Sequence, residues 1–172
     1  WPESHVAKCL VYYHPNDDED LKSAQLKTVE NLYKACLSTD HELLLEIIPP
    51  LNGVDNEVAV VDAMKEFYEH GIMPDWWKLS PPNTTQAWKN IEAVIESYDP
   101  HCRGVLMLGL NAPLDELEKS FSLGAENSVC KGFAVGRSVF YDAATKWFKD
   151  EITDAEAAAI VARNYRTLLK EL

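Results

Sequence analysis

The feature that most constrains the fold is a regular alternation. Five short apolar runs each end in a proline, glycine or asparagine step, and each is followed by a segment of helical length. The first run, residues 6–13, ends in His14-Pro15, and Asn16-Asp17-Asp18-Glu19-Asp20 then supplies an N-cap and negative charge for a helix to about residue 37. The second, 42–48, ends in Pro49-Pro50, and a helix over 56–70 is stopped by Gly71. The third, 76–79, ends in Pro81-Pro82 and precedes a helix from Thr84 or Thr85 to about Tyr98. The fourth, 104–110, ends in Asn111-Ala112-Pro113 before a helix over 114–124. The fifth, 131–135, ends in Gly136-Arg137-Ser138. Two helices close the chain, the last opening with the capping-box pattern Thr153-Asp154-Ala155-Glu156.

Short apolar runs separated by helices read as buried parallel strands. Five βα units in series predict one α/β domain over residues 1–172. Two architectures fit: an open doubly wound sheet, or part of a (β/α)8 barrel. No glycine-rich phosphate loop follows the first strand, and polar residues stand within or just after every strand. Both points favour the barrel. A whole barrel takes about 250 residues, so the expected fold is a partial (β/α)8 TIM barrel, with about three βα units ahead of Trp1.

Composition narrows the function. The chain has 172 residues, 47% hydrophobic and 26% charged, enough for one packed core. A net charge of −12 argues against a general nucleic-acid binder, but permits a local cationic pocket. No apolar run reaches the roughly 18–20 residues of a membrane helix, and no secretory pattern opens the chain. Cys9, Cys36, Cys102 and Cys130 form no C-x-x-C pair and read as small buried hydrophobes in a reducing compartment. A cytoplasmic protein without nucleic-acid or membrane partners is therefore expected. The histidines show no zinc spacing, and neither metal nor cofactor is expected.

Three charges interrupt the apolar runs: Lys8 in the first, Glu46 in the second and Lys78 in the third. A charge in a buried strand costs several kcal/mol unless paired or solvated. Lys78, between Trp77 and Leu79, would have its neutral amine favoured by desolvation and by a nearby cation such as Lys8. It could then attack a ketone to form a Schiff base. Glu46 would serve as general acid/base, and Lys8 would orient it and stabilise developing negative charge. The competing reading is a purely structural ion-pair cluster. Gly136-Arg137-Ser138 exposes backbone N–H groups beside a guanidinium and could hold a phosphate, with Gly109 and Asn111 adding contacts; it also reads as an ordinary turn. Tyr12-Tyr13 and Trp76-Trp77 read first as packing residues.

Long motifs carry a resemblance. Ala7-Lys8-Cys9-Leu10-Val11-Tyr12-Tyr13-His14-Pro15, Leu44-Leu45-Glu46-Ile47-Ile48-Pro49-Pro50, Pro74-Asp75-Trp76-Trp77-Lys78-Leu79, Cys102-Arg103-Gly104-Val105-Leu106-Met107-Leu108-Gly109-Leu110 and Lys131-Gly132-Phe133-Ala134-Val135-Gly136-Arg137 are similar to the aldolase-like domain of bacterial inositol catabolism. That domain is commonly fused behind a ribokinase-type sugar kinase, as 5-dehydro-2-deoxygluconokinase with 5-dehydro-2-deoxyphosphogluconate aldolase. More distantly the pattern resembles tagatose-1,6-bisphosphate aldolase and other class I aldolases, which are barrels.

The resemblance implies that this chain supplies strands four to eight. Lys78 would be the Schiff-base lysine, Glu46 the acid/base and Lys8 the strand-four lysine. Gly136 and Arg137 would form the phosphate site, and Gly109 would fall in the strand-seven phosphate region. Strand one, which normally carries an active-site aspartate, would lie outside this sequence. The implied substrate is 2-deoxy-5-keto-gluconate 6-phosphate, a phosphorylated keto-sugar acid, cleaved to dihydroxyacetone phosphate and malonate semialdehyde. A kinase domain in the same polypeptide and a homo-oligomer are the implied partners. The rival is a non-catalytic sugar-phosphate-binding domain that regulates the kinase.

Overall fold

The computed structural model describes residues 1–2, 4–49, 56–110 and 112–170. Its elements run β1 (Ala7–Val11), α1 (Glu19–Ser38), β2 (Leu43–Ile47), α2 (Asn56–Glu69), β3 (Trp76–Leu79), α3 (Thr85–Tyr98), β4 (Gly104–Met107), α4 (Leu114–Ala125), β5 (Cys130–Phe133), α5 (Arg137–Phe148) and α6 (Asp154–Leu169). The five strands are all parallel and lie in the order β1-β2-β3-β4-β5. A doubly wound sheet would reverse its order partway. This one does not, and it remains an open, unclosed sheet consistent with a partial (β/α) barrel. Parallel strands in sequential order, joined by crossovers of the usual single hand, place the helices on one face of it.

That covered face takes alternate strand residues. Leu43, Leu45, Ile47, Trp77, Leu79 and Val105 are each fully buried there. Helix residues such as Val29, Met64, Phe67, Trp88, Ile91 and Phe121 join them in one core cluster. Trp77 Nε1 donates to the Tyr68 hydroxyl at 2.7 Å, which satisfies both buried polar atoms.

Local signals explain the helix ends. The Asp18 carboxylate caps α1 by accepting from Asp20 N, and Thr84 caps α3 by accepting from Ala87 N. Thr153 and Glu156 form the predicted capping box of α6. Gly71 ends α2 in the left-handed region, at φ 80°.

Four strands are shorter than their apolar runs, with β1 and β2 trimmed at both ends. β4 stops at Met107 because the chain turns at Leu110 (φ 42°), with Ala112 N donating to Gly109 O at 2.7 Å. β5 begins one residue early and ends at Phe133, leaving residues 134–136 to lead into α5. The register between β4 and β5 also shifts: Val105 pairs with Cys130 but Leu106 with Gly132, so Lys131 is bulged out. Gly104 (φ 132°) makes room, since a Cβ there would lie 2.5 Å from Val129 O and 2.6 Å from Lys131 Cγ. The cysteine expectation needs correction. All four are free, but only Cys36 is fully buried, because Cys9, Cys102 and Cys130 lie near the sheet's rims.

The C-terminal end of β1 is anchored by a buried network. The Tyr13 hydroxyl donates to Glu66, and Lys22 Nζ pairs with Glu66 at 3.3 Å and Glu19 at 2.9 Å while donating to Pro15 O at 3.0 Å. Burial, and then the Glu66 carboxylate, push the Tyr13 phenol well above its usual range.

Candidate active site

The uncovered face of the sheet carries the other set of strand residues. Register decides which of them meet. Glu46 lies level with Lys78 on the adjacent strand and with Leu10 on the other side, while Lys8 is level with Leu44. Glu46 Oε1 sits 3.2 Å from Lys78 Nζ, and Glu46 Oε2 sits 2.5 Å from Lys8 Nζ. The Glu46 side chain is 6% exposed, Lys78 15% and Lys8 42%. The Lys8 contact is ionic rather than an aligned hydrogen bond, since Oε2 has no hydrogen-bond partner among the described residues. Two cations around one buried carboxylate compensate its desolvation.

Trp77 and Leu79 do not surround the Lys78 amine, because neighbours along a strand point to opposite faces. The residues that share its face and register are Glu46 and Leu106. Lys8 likewise reaches Glu46 itself, from the side of the strand N-termini.

Above the pair is a cavity of about 290 Å³ at the C-terminal ends of the strands. Glu46 and Lys78 line it, but Lys8 does not. Leu10 and Tyr12 border it from the β1 side, and Ala134, Val135 and Gly136 from the β5 side. The sheet therefore curls until both end strands share one cavity. Gly109, Gly136 and Arg137 line it as well, so the structure brings together every predicted site residue it describes except Lys8, which touches the cavity only through Glu46. Asn111 lies outside the described residues.

The side that carries Arg137 is built from two turns. Gly136 is the N-cap of α5, and Val139 N and Phe140 N both donate back to its carbonyl. The N–H groups of Arg137 and Ser138 head the helix, where no intrahelical acceptor is available. Among the described residues Arg137 forms no ion pair. Gly109 is required by close approach: a Cβ there would lie 2.8 Å from Val135 Cγ1 and 3.3 Å from Ser138 Oγ.

Sequence reasoning read Tyr12 first as a packing residue and took Ser138 only as part of the Gly136-Arg137-Ser138 step. Tyr12 is 59% exposed and lines the wall, whereas Tyr13 is fully buried. The alternation of the first run placed Tyr12 on the face of Lys8, and that signal was available. Ser138 gave no signal beyond its place after Gly136-Arg137. Among the described residues no group of three or more His, Cys, Asp or Glu side chains is arranged to hold a metal ion. No helix there is long and apolar enough to cross a membrane.

The architecture recurs in solved structures. An archaeal fructose 1,6-bisphosphate aldolase superposes with a TM-score of 0.62 at 16% identity, covering 95% of this chain and 57% of its own. Cgl0159 from Corynebacterium glutamicum superposes with a TM-score of 0.62 at 21% identity, covering 97% of this chain and 52% of its own. The chain thus has an aldolase-like β/α fold and spans little more than half the length of either structure. A search of curated proteins finds no match. Residues 1–171 match one family throughout, and the chain belongs to it: the family described as "Uncharacterized protein conserved in bacteria (DUF2090)".

Proposed function

We propose that this chain carries the catalytic half of a class I aldolase acting on a phosphorylated keto-sugar. The observation that carries this reading is the Glu46 carboxylate held between Lys78 and Lys8 at the floor of the mouth cavity. Glu46 is placed to take the proton that Lys78 gives up. The Lys78 amine then attacks the substrate ketone, Glu46 returns its proton to the carbinolamine hydroxyl, and water leaves to give an iminium. Glu46 next removes the proton of the substrate hydroxyl. The carbon–carbon bond breaks, its electron pair moves into the iminium as an enamine, and an aldehyde leaves. Protonation of the enamine and hydrolysis of the imine release the ketone product and restore Lys78. Lys8, outside the cavity, acts as a positioning residue that orients Glu46.

Gly109, Gly136 and Arg137 hold the phosphoryl group, by backbone N–H donation and the guanidinium. The sequence resemblance supports 2-deoxy-5-keto-gluconate 6-phosphate as substrate, with dihydroxyacetone phosphate and malonate semialdehyde as products. It also supports three further βα units that complete a barrel, a ribokinase-type kinase domain in the same polypeptide and a homo-oligomer. The unpaired edges of β1 and β5 accord with further strands.

The test is borohydride trapping with dihydroxyacetone phosphate, followed by peptide mass spectrometry. A reduced adduct on Lys78, lost in Lys78→Ala, is expected. An adduct that persists in Lys78→Ala overturns the assignment. A folded protein that forms no adduct anywhere refutes the aldolase reading and leaves a binding domain.

A further inference from the structure

Tyr12 lines the mouth cavity but has no part in the mechanism above. Its direction is set by its neighbour. Tyr13 is fully buried, with its hydroxyl on Glu66, so alternation turns Tyr12 to the opposite face, the one that carries Leu10 and Lys8. Gln25 Nε2 donates to the Tyr12 carbonyl at 2.7 Å, and Ile48 N donates to Val11 O at 3.0 Å, so the backbone beside Tyr12 stays held past the end of β1. Leu10 is level with Glu46. Tyr12 therefore stands one step above Glu46, roughly 7 Å nearer the mouth. The fold asks little of its side chain. The residue is 59% exposed, and among the described residues its hydroxyl has no hydrogen bond and its ring no aromatic partner.

Two constraints direct the leaving end of the substrate toward it. In the proposed reaction Glu46 takes the proton of the hydroxyl whose carbon becomes the aldehyde, so that carbon lies on the β2 side of Lys78, next to β1. The phosphoryl end lies toward Arg137, on the β5 side of the cavity. The fragment past the breaking bond then points to Tyr12, Leu10 and Ile48. Apart from Glu46, the Tyr12 hydroxyl is the one polar side-chain group that β1, β2 and the residues just after them bring to the cavity among the described residues. We infer that Tyr12 determines specificity for the fragment released as the aldehyde: its ring covers that fragment, and its hydroxyl bonds an oxygen that the fragment carries. The substrate class is a keto-sugar phosphate with a hydroxyl or carboxyl oxygen beyond the carbon–carbon bond that breaks. This rests on the aldolase reading above and deepens it.

The experiment is borohydride trapping on the full chain with two ketones, read at Lys78 by peptide mass spectrometry over a range of concentrations. Dihydroxyacetone phosphate ends at the bond that breaks. D-fructose 1-phosphate is the same ketone extended by a three-carbon polyol. Wild type, Tyr12→Phe and Tyr12→Ala are compared, with melting temperatures recorded for each; the ratio of variant to wild type cancels the ring-closed fraction of the ketose. Tyr12→Phe is expected to raise the half-saturating concentration of fructose 1-phosphate by roughly fivefold, as loss of one hydrogen bond does, and Tyr12→Ala by more, because the ring goes too. The value for dihydroxyacetone phosphate and the melting temperature change little. Equal effects on the two ketones, or none on either, overturn the inference while the Lys78 adduct keeps the aldolase reading standing. A loss for both ketones that tracks a fall in melting temperature overturns it in favour of a packing role. A wild type that traps dihydroxyacetone phosphate but not fructose 1-phosphate overturns it as well, since the wall then admits no hydroxylated fragment. No adduct with either ketone in folded wild type removes the aldolase reading, and the Tyr12 inference with it.

Discussion

At the N-terminal ends of the strands, Glu42 accepts from Trp76 Nε1 at 2.6 Å and pairs with Arg103 at 2.5 Å. Asp75 there accepts from Leu43 N at 2.8 Å. At the C-terminal ends the pattern changes. Glu46 Oε2 has only an ionic contact, and the buried hydroxyls of Ser80 and Ser138 have no partner among the described residues. One end uses its polar groups to tie strand starts together, whereas at the other end Glu46, Lys78 and Ser138 line a cavity. Buried polar groups normally find partners, and the satisfied end points to stability.

The largest expected effect breaks chemistry without breaking the fold. Lys78→Met should abolish imine trapping while leaving stability unchanged or up to about 1 kcal/mol higher, because Glu46 keeps Lys8 as a partner and a buried cation is replaced by an apolar side chain. Thermal melts and trapping on one preparation check both halves. A large stability loss would mean that the mouth is as structural as the other end.

Asp75→Ala should do the reverse. It strands the amide of fully buried Leu43 and should cost about 1–3 kcal/mol, with the Lys78 adduct retained in the folded fraction. Denaturant titration measures the loss; loss of the adduct in folded protein would show that the two ends are coupled.

The smallest effect sharpens the comparison by separating saturation from position. Lys22 sits at the mouth end but has Glu19, Glu66 and Pro15 O as partners. Its hydrogen bond to Glu19 raises its pKa above the ordinary 10.5, with Glu66 adding to this and burial opposing it. A raised amine pKa contributes stability that is present below pH 10.5 and is lost as pH rises through the folded-state value. Wild-type melting temperature should therefore fall more steeply above pH 10.5 than that of Lys22→Met. Parallel curves would show that Lys22 contributes no such linkage.

Much of this was legible before the structure. The third strand was placed at its observed bounds, because Trp76-Trp77-Lys78-Leu79 is short and bounded by Pro74 and Pro81. The grouping of Glu46 with Lys78 followed from matching placement in successive parallel strands, whereas Lys8 lies level with Leu44. What periodicity cannot supply is the relation between neighbours. The Lys131 bulge depends on how β4 meets β5, and Lys8's approach from below depends on a two-residue offset from Glu46. The Lys22 cluster joins residues 44 positions apart, and no local pattern marks it. The desolvation argument for Lys78 failed in its particulars because it counted sequence neighbours that face the opposite side of the sheet.

Glu46 and Lys78 are cross-strand neighbours, so the distance between them is dictated by strand spacing and not by any loop. The groups proposed to hold the phosphoryl group sit instead on the turns 108–110 and 134–138. Such a division makes the two properties separately evolvable. Turns can be rewritten while the Glu46–Lys78 pair, embedded in the sheet, keeps its geometry.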